Sequence, residues 1–170
     1  MPRRPSSLPL GWEPALSQLR TLSPSDLNAH VARWLRARGF RTICATSRSA
    51  CCSNYTAVFG QAPFDLTVGF RVYQRRNRLQ AHQIEAYLGS LVREGLSTGV
   101  LITTGEFSRE AYRLAAQIPS PRIRLIAGPE WMADLAQRKV GIKRCSLASW
   151  LLSQTRSSSS AACERREVRR

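Results

Sequence analysis

Residues 99–111 read GVLITTGEFSREA and combine the pattern of a buried strand with the start of a helix. Gly99–Thr103 is a short, uninterrupted apolar run, which is typical of a central strand covered on both faces. Ser108 stands where an N-cap is expected, and the helix that it begins should extend to Gln117. Because another apolar run follows at Ile123–Ile126, this half of the chain predicts a β-α-β unit with parallel strands.

The residues before this unit alternate helix and strand patterns as well. Ser23 and Pro24 are typical of a helix start, and Gly39 is typical of a helix end. The remaining elements that we expect are strands over Phe40–Thr46, Thr56–Phe59 and Leu66–Tyr73, a helix carrying Ile84, Tyr87, Leu88 and Leu91, and a last helix over Pro129–Arg138. The whole pattern predicts an α/β domain with a mixed or parallel central sheet flanked by helices on both faces.

Composition divides the chain into three parts. Residues 1–21 contain four prolines and little periodicity, so we expect a flexible N-terminal arm there. Residues 22–142 should form the single domain. Residues 143–170 hold seven basic and two acidic residues and a serine run, which predicts a basic, disordered tail. Within that tail, Leu147–Leu152 could form a short helical turn against the domain.

The charge of the chain predicts a polyanionic partner. The net charge is +15, almost wholly from arginine, since Lys139 and Lys143 are the only lysines. Such a balance is most often associated with nucleic acid, although a genome that favours arginine codons is an alternative explanation. No apolar run approaches the roughly 18 residues of a membrane span, so we expect a cytoplasmic protein with no membrane partner. Five cysteines without a CxxC pair, and only two histidines, do not indicate a metal site.

Four pieces of sequence in order carry a resemblance to a known family. They are the opening helix with its glycine stop at 22–40, YQRRNRLQAHQIEAYLGSL at 73–91, GVLITT with FSREA between 99 and 111, and IRLIAG at 123–128. Together they resemble the Mrr restriction endonucleases. The resemblance implies a restriction-endonuclease-like domain of the PD-D/E-x-K group. Such domains bind double-stranded DNA and cleave it with Mg²⁺ held by carboxylates, with help from a lysine.

The positions that carry this chemistry in the family hold other residue types here. The family's glycine-rich turn, which ends in a metal-binding aspartate, falls without gaps on residues 49–55. Its Gln-x-Lys falls on residues 71–73. The family-equivalent positions are then Tyr55, Arg71 and Tyr73, with Asn28 in place of the acidic residue of the first helix. An alternative register at Gln74-Arg75-Arg76 puts Arg76 at the lysine, and a guanidinium does not release a proton.

Only one carboxylate remains as a candidate metal ligand in this part of the chain. Between Leu27 and Ile84 the sequence has Asp65 and no lysine. One carboxylate holds Mg²⁺ weakly, and Asp65 also suits a turn after Pro63. We therefore expect no intact catalytic site, no bound metal and no cofactor, although an active enzyme would need Mg²⁺.

A cluster of arginines is the candidate DNA-binding surface. Its members are Arg48, Arg71, Arg75, Arg76 and Arg78. Guanidinium groups form paired hydrogen bonds with phosphate, and each neutralised phosphate releases counterions. The alternative is a solvated charge run that prevents aggregation at a sheet edge.

Three functions are compatible with these patterns. The preferred one is a double-stranded DNA-binding protein of Mrr type whose catalytic site has been lost, in a context of DNA restriction. The second is a working Mg²⁺-dependent endonuclease that uses Asp65 and an arginine. The third is a protein-interaction module that forms a homodimer or pairs with an active nuclease.

Overall fold

The computed structural model describes residues 12–48, 52–146 and 149–152. Helices and strands alternate along most of this part of the chain. The helices are α1 (Glu13–Thr21), α2 (Pro24–Ala37), α3 (Ala81–Arg93), α4 (Arg109–Gln117) and α5 (Gly128–Gln137). The strands are β1 (Phe40–Arg48), β2 (Cys52–Phe59), β3 (Leu66–Tyr73), β4 (Thr98–Thr103), β5 (Arg122–Ile126), β6 (Ile142–Ser146) and β7 (Ser149–Leu152).

The central sheet has five strands in the order β1-β2-β3-β4-β5. Strand β2 pairs antiparallel with both β1 and β3, whereas β4 pairs parallel with both β3 and β5. Helix α3 connects β3 to β4, and α4 connects β4 to β5. The predicted mixed sheet is therefore confirmed, and the carboxyl ends of its three parallel strands lie at one edge.

Each face of the sheet is covered by its own apolar core. Helices α1, α2 and α5 pack on the first face, where Trp34 makes edge-to-face contacts with Phe70 at 6.4 Å and with Trp131 at 6.0 Å. Helices α3 and α4 pack on the second face, where Tyr87 and Leu101 are buried. Helices on both faces are as predicted, and successive residues of a strand therefore point into different cores.

Short capping contacts explain where the predicted helices begin and end. The Ser23 hydroxyl accepts a hydrogen bond from the Asp26 backbone N–H at 3.1 Å, and α2 ends before Gly39, whose φ of 87° suits glycine. The Ser108 hydroxyl caps α4 in the same way by accepting from the Ala111 N–H at 3.1 Å. Both N-caps are those that the sequence predicts.

Two expectations for the ends of the chain are wrong in part. Residues 13–21 form α1 and are not a flexible arm, because Ala15, Leu16 and Leu19 share one buried side and Pro14 lies in the first turn, where proline is tolerated. Residues 142–146 and 149–152 form the hairpin β6–β7, so the expected helical turn is also wrong. Residues 1–11 and 153–170 lie outside the described residues. No helix in the described part of the chain is long and apolar enough to cross a bilayer.

Candidate functional site

Asn28 and Tyr55 meet on the first face of the sheet. Asn28 lies on α2 and Tyr55 on β2, and the Tyr55 hydroxyl donates a hydrogen bond to the Asn28 Oδ1 at 2.6 Å. Tyr55 is buried, with 2% of its surface exposed. Two of the positions that the resemblance singles out therefore lie together, and a hydroxyl and an amide are hydrogen-bonded to each other there.

Arg71 and Tyr73 do not join this pair. Tyr55 pairs across the sheet with Phe70, so the next residue, Arg71, points to the opposite face. The Arg71 Nε donates to the Asn54 Oδ1 at 2.6 Å and its Nη2 donates to the Ser90 Oγ at 2.8 Å. Tyr73 is buried in the core of that same second face.

Placing the family's Gln-x-Lys one residue later, on residues 72–74, would put its glutamine and lysine positions on the same face of the sheet as Tyr55. A metal ion needs its ligands on one side of the sheet, and the alternation of the strand points residues 71 and 73 away from Tyr55. Val72 is buried in the first-face core with Tyr55. The Gln74 Nε2 donates to the Leu19 carbonyl at 3.0 Å and to the Leu22 carbonyl at 3.2 Å, which places it under the end of α1. Gln74 therefore lies on the same side of the sheet as Tyr55, whereas Arg71 and Tyr73 lie on the other side.

The guanidinium of Arg71 is used inside the fold. Besides its two hydrogen bonds, its Cζ lies 4.9 Å from the centre of the Tyr87 ring. Burial is the main cause that raises the pKa of the Tyr87 hydroxyl, and the nearby Arg71 charge and a hydrogen bond to the Val100 carbonyl oppose that rise. This side chain links β3 to α3, and its contact with DNA stays a prediction.

Asp65 lies far from the other candidates. It precedes β3, whereas Gln74 follows it, and a strand of eight residues spans roughly 25 Å. The Asp65 Oδ1 accepts a hydrogen bond from the Arg41 Nη2 at 3.2 Å, and both side chains are about half exposed. Asp65 therefore closes a turn with Arg41 and does not contribute to a site with Arg75 or Arg76.

These residues do not fit a divalent cation. Mg²⁺ prefers several hard oxygen ligands with negative charge, and the Asn28–Tyr55 pair supplies none. Among the described residues, no group of three or more His, Cys, Asp or Glu side chains could hold a metal ion. The arrangement can hold an internal hydrogen bond, and we derive no hydrolytic step from it.

Arg75, Arg76 and Arg78 lie on the loop after β3, at the carboxyl edge of the parallel strands. All three side chains are exposed. Arg78 forms an ion pair with Glu106 at 2.9 Å, whereas Arg75 and Arg76 have no side-chain partner among the described residues. Arg48 ends β1, and its side chain lies outside the described part. Arg75 and Arg76 are thus the free charges of the predicted cluster.

This arginine loop, residues 74–80, is held tightly by the turn after β4. The Thr104 Oγ1 donates to the Arg75 carbonyl at 3.0 Å, and the Leu79 N–H donates to the Glu106 carbonyl at 2.9 Å. A Cβ on Gly105 would lie 2.8 Å from the carbonyl oxygens of Arg75 and Asn77. Only glycine allows this close approach, so the loop presents its arginines from a fixed backbone.

Arg20 is a basic residue of this edge that the sequence analysis missed. It lies on α1, and its Nη2 donates to the Thr104 carbonyl at 2.8 Å. The spacing of Ala15, Leu16 and Leu19 follows a helical period and could have revealed α1. Because residues 1–21 were expected to be a flexible arm, the sequence analysis did not place Arg20 near the sheet.

Comparisons with known proteins agree with this architecture. The family model Mrr_cat, described as restriction endonuclease, matches residues 19–135. The solved structure titled DNA modification-dependent restriction endonuclease AspBHI matches with a TM-score of 0.54 and 18% identity, over 81% of this chain and 41% of that chain. The structure of MspJI restriction endonuclease in complex with a 27-mer oligonucleotide matches with a TM-score of 0.51 and 25% identity, over 74% of this chain and 31% of that chain.

This chain therefore spans less than half the length of either structural neighbour. A search of curated proteins gave no match. The fold is shared with both neighbours, and the family model covers well over half of the chain. The protein belongs to the Mrr_cat family of restriction endonuclease domains.

Proposed function

We propose that this chain binds double-stranded DNA through its arginine loop and no longer cleaves it. The observation that carries the proposal is the buried hydrogen bond between Tyr55 and Asn28, at 2.6 Å, where the family places its metal-binding carboxylates. The two groups are hydrogen-bonded to each other and carry no charge, so replacing that hydrogen bond by Mg²⁺ would be unfavourable. Gln74, in the place of the lysine, donates its amide to the end of α1.

The DNA-binding half of the proposal is supported by charge and position. The net charge of +15 favours a polyanion, and Arg75 and Arg76 are exposed on a backbone fixed around Gly105. Because the backbone is already fixed, binding a phosphate would order only the two side chains and not the loop. One structural neighbour, MspJI, was solved with an oligonucleotide. Recognition of the duplex backbone is the function that this surface fits best.

Replacing Arg75 and Arg76 by glutamine should weaken duplex binding and reduce its dependence on salt. Each phosphate contact contributes a slope of about −0.9 to the logarithm of affinity against the logarithm of salt concentration. If both arginines contact phosphate, the slope should become shallower by about 1.8. Titrations of a labelled duplex at several salt concentrations measure this value.

The matched control replaces Arg36 and Arg93 by glutamine. Both are exposed, and they lie at the ends of α2 and α3, away from the carboxyl edge of the sheet. This variant has the same net charge as the first one. Equal slopes for the two variants would show that binding follows total charge, and would remove the arginine loop as the interface.

An active endonuclease that uses Asp65 has less support. Asp65 is separated from the arginine loop by the length of β3, and its carboxylate is paired with Arg41 at 3.2 Å. A single exposed carboxylate is a weak ligand for Mg²⁺. This alternative requires Asp65→Ala to abolish a cleavage that wild-type protein shows, which is tested below.

An exposed apolar surface favours protein binding as a second candidate function. Phe59, Phe64 and Leu66 are 48%, 87% and 43% exposed at the turn between β2 and β3, opposite the arginine loop. Grouped apolar side chains on a surface are typical of protein contacts. We infer that this turn surface, Phe59 to Leu66, can pair with a second copy of the chain.

Sedimentation velocity tests that pairing. We expect a dimer at high protein concentration, and its dissociation when Phe59 and Leu66 are both replaced by serine, because the buried apolar area would be lost. Val92→Ser is the control, since Val92 is 62% exposed on α3 and lies elsewhere. A monomer at every concentration would rule out the homodimer.

A further inference from the structure

A cleft of about 260 Å³ lies between α1 and the loops that follow β3, β4 and β5. Its walls include three arginines and one tryptophan. The residues that matter for its chemistry are Trp12, Arg20, Arg76 and Arg78, with the carboxylates Glu13 and Glu106. Carboxyl edges of parallel strands are common places for ligands in α/β sheets. The cleft is too small for a duplex and suits a group the size of one nucleotide.

The charge available to a ligand comes from Arg20 and Arg76. Arg78 is neutralised by its ion pair with Glu106 at 2.9 Å. Glu13 is exposed at the start of α1. Arg76 is exposed and makes no side-chain contact among the described residues. The cleft therefore keeps a positive balance, which favours an anion.

Arg20 carries a donor that is buried and unused. Its Nη2 is fixed by the Thr104 carbonyl at 2.8 Å, whereas its Nε is buried and has no hydrogen-bond partner within the described part of the chain. Buried donors are almost always paired, and an unpaired one is unfavourable. An anionic oxygen in the cleft would supply an acceptor beside a guanidinium that is already held in place.

Trp12 supplies an apolar wall to the same cleft. It is partly buried and packs against the first-face core. Nucleic-acid bases stack on exposed aromatic rings whatever their sequence. An indole beside two guanidinium groups thus matches the two parts of a nucleotide, the base and the phosphate.

We propose that this cleft binds one unpaired nucleotide, with its phosphate on Arg20 and Arg76 and its base against Trp12. The nucleotide is either a free nucleoside monophosphate or an unpaired residue within a DNA strand. The second source rests on the proposed function, because it needs the DNA to be held by the arginine loop. In both cases the cleft would recognise the same two groups, the phosphate and the base.

Titrations of the full chain with two labelled duplexes test the proposal. One duplex is fully paired, and the other carries a single unpaired nucleotide. We expect the second to bind about tenfold tighter, as one stacked base and one charge-assisted contact would give. Arg20→Gln, Arg76→Gln and Trp12→Ala should each reduce this ratio of affinities, whereas Trp12→Phe and the control Arg93→Gln should keep it. Calorimetric titration with dAMP and with inorganic phosphate tests the binding of a free nucleoside monophosphate.

Each outcome separates this cleft from the proposed function. Equal affinity for the two duplexes, with no binding of dAMP, overturns the cleft while DNA binding by the arginine loop stands. Binding of dAMP without binding of either duplex supports the cleft and refutes the proposed function. A ratio that Arg93→Gln lowers as much as Arg76→Gln overturns the cleft too. Because Arg76 is exposed, its variant should fold even if Arg20→Gln does not.

Discussion

The Tyr55 hydroxyl and the Asn28 amide form a neutral contact at the positions where the proposed function places a former charged site. A buried hydrogen bond between neutral groups contributes about 1 kcal/mol, while two carboxylates at the same distance would repel each other. The pair at 2.6 Å is therefore stable without any ion. Restoring carboxylates at these two positions should restore a need for a cation.

We predict that the double variant Asn28→Glu, Tyr55→Asp is destabilised and is stabilised again by Mn²⁺. The present side chains meet at 2.6 Å, and because aspartate is shorter than tyrosine, the two carboxylates would leave a gap in which one metal ion could bind both. A ligand at about 100 times its dissociation constant adds about 2.7 kcal/mol of stability. In a domain of this size, that raises the thermal midpoint by about 5–10 °C. Thermal unfolding with and without Mn²⁺ measures it.

The control for the metal is the variant Asn28→Gln, Tyr55→Asn. It changes the same positions without adding charge, so Mn²⁺ should leave its thermal midpoint unchanged. If the acidic variant responds no more than this control, these positions are not the former metal site.

For single residues, the sequence predicts the position along the chain better than it predicts the face of the sheet to which the side chain points. The gapless comparison brought Asn28 and Tyr55 to positions that do meet. It assigned Arg71 and Tyr73 to the same site, although a shift of one residue along a strand moves every side chain to the other face. Nothing in the local sequence reveals such a slip, because Phe70, Val72 and Tyr73 are all apolar enough to be buried.

Among the elements, α2 and α5 are tied together by one carboxylate. Asp134 on α5 accepts hydrogen bonds from the Trp34 Nε1 at 2.5 Å and from the Arg38 Nε at 2.9 Å. Burial alone would raise the pKa of Asp134, and the hydrogen bonds from Arg38 and Trp34 outweigh it, so the pKa is lowered. This contact fixes α2, the helix that carries Asn28, against α5.

Replacing Asp134 by alanine should reduce the free energy of unfolding by about 2–4 kcal/mol. The loss is large because the buried Trp34 N–H and the half-buried Arg38 would both lose their acceptor. Urea unfolding measures it. Glu130→Ala on the same helix removes only the exposed pair with Arg124, which should cost less than about 1 kcal/mol. Equal losses in the two variants would contradict the role of Asp134.

The elements that the sequence predicts well are those with explicit start and stop residues. Ser23, Ser108 and Gly39 mark boundaries that the structure keeps, because each makes a local contact or adopts a local conformation. Strand β2 begins four residues earlier than expected, at Cys52, since pairing with β3 extends it. Helix α1 was missed because proline content outweighed its apolar spacing, and its stability depends on packing against the distant sheet.

In the whole molecule, the exposed arginines of the arginine loop and the Asn28–Tyr55 pair lie on neighbouring parts of the fold. The arginine loop follows β3, whose neighbour β2 carries Tyr55. The proposed surface for polyanions and the neutral Asn28–Tyr55 pair are thus carried by adjoining elements of the sheet. The neighbours AspBHI and MspJI are longer chains, of which this protein matches 41% and 31%.

The most direct test of the central claim is a nicking assay on supercoiled plasmid with Mg²⁺ or Mn²⁺. The assay should use protein and salt concentrations at which the labelled duplex is fully bound. We predict no nicking above that of a protein-free control, because no group of acidic side chains among the described residues could hold a metal ion. Metal-dependent nicking by the wild-type chain, at a rate that Asp65→Ala abolishes, would contradict the loss of catalysis.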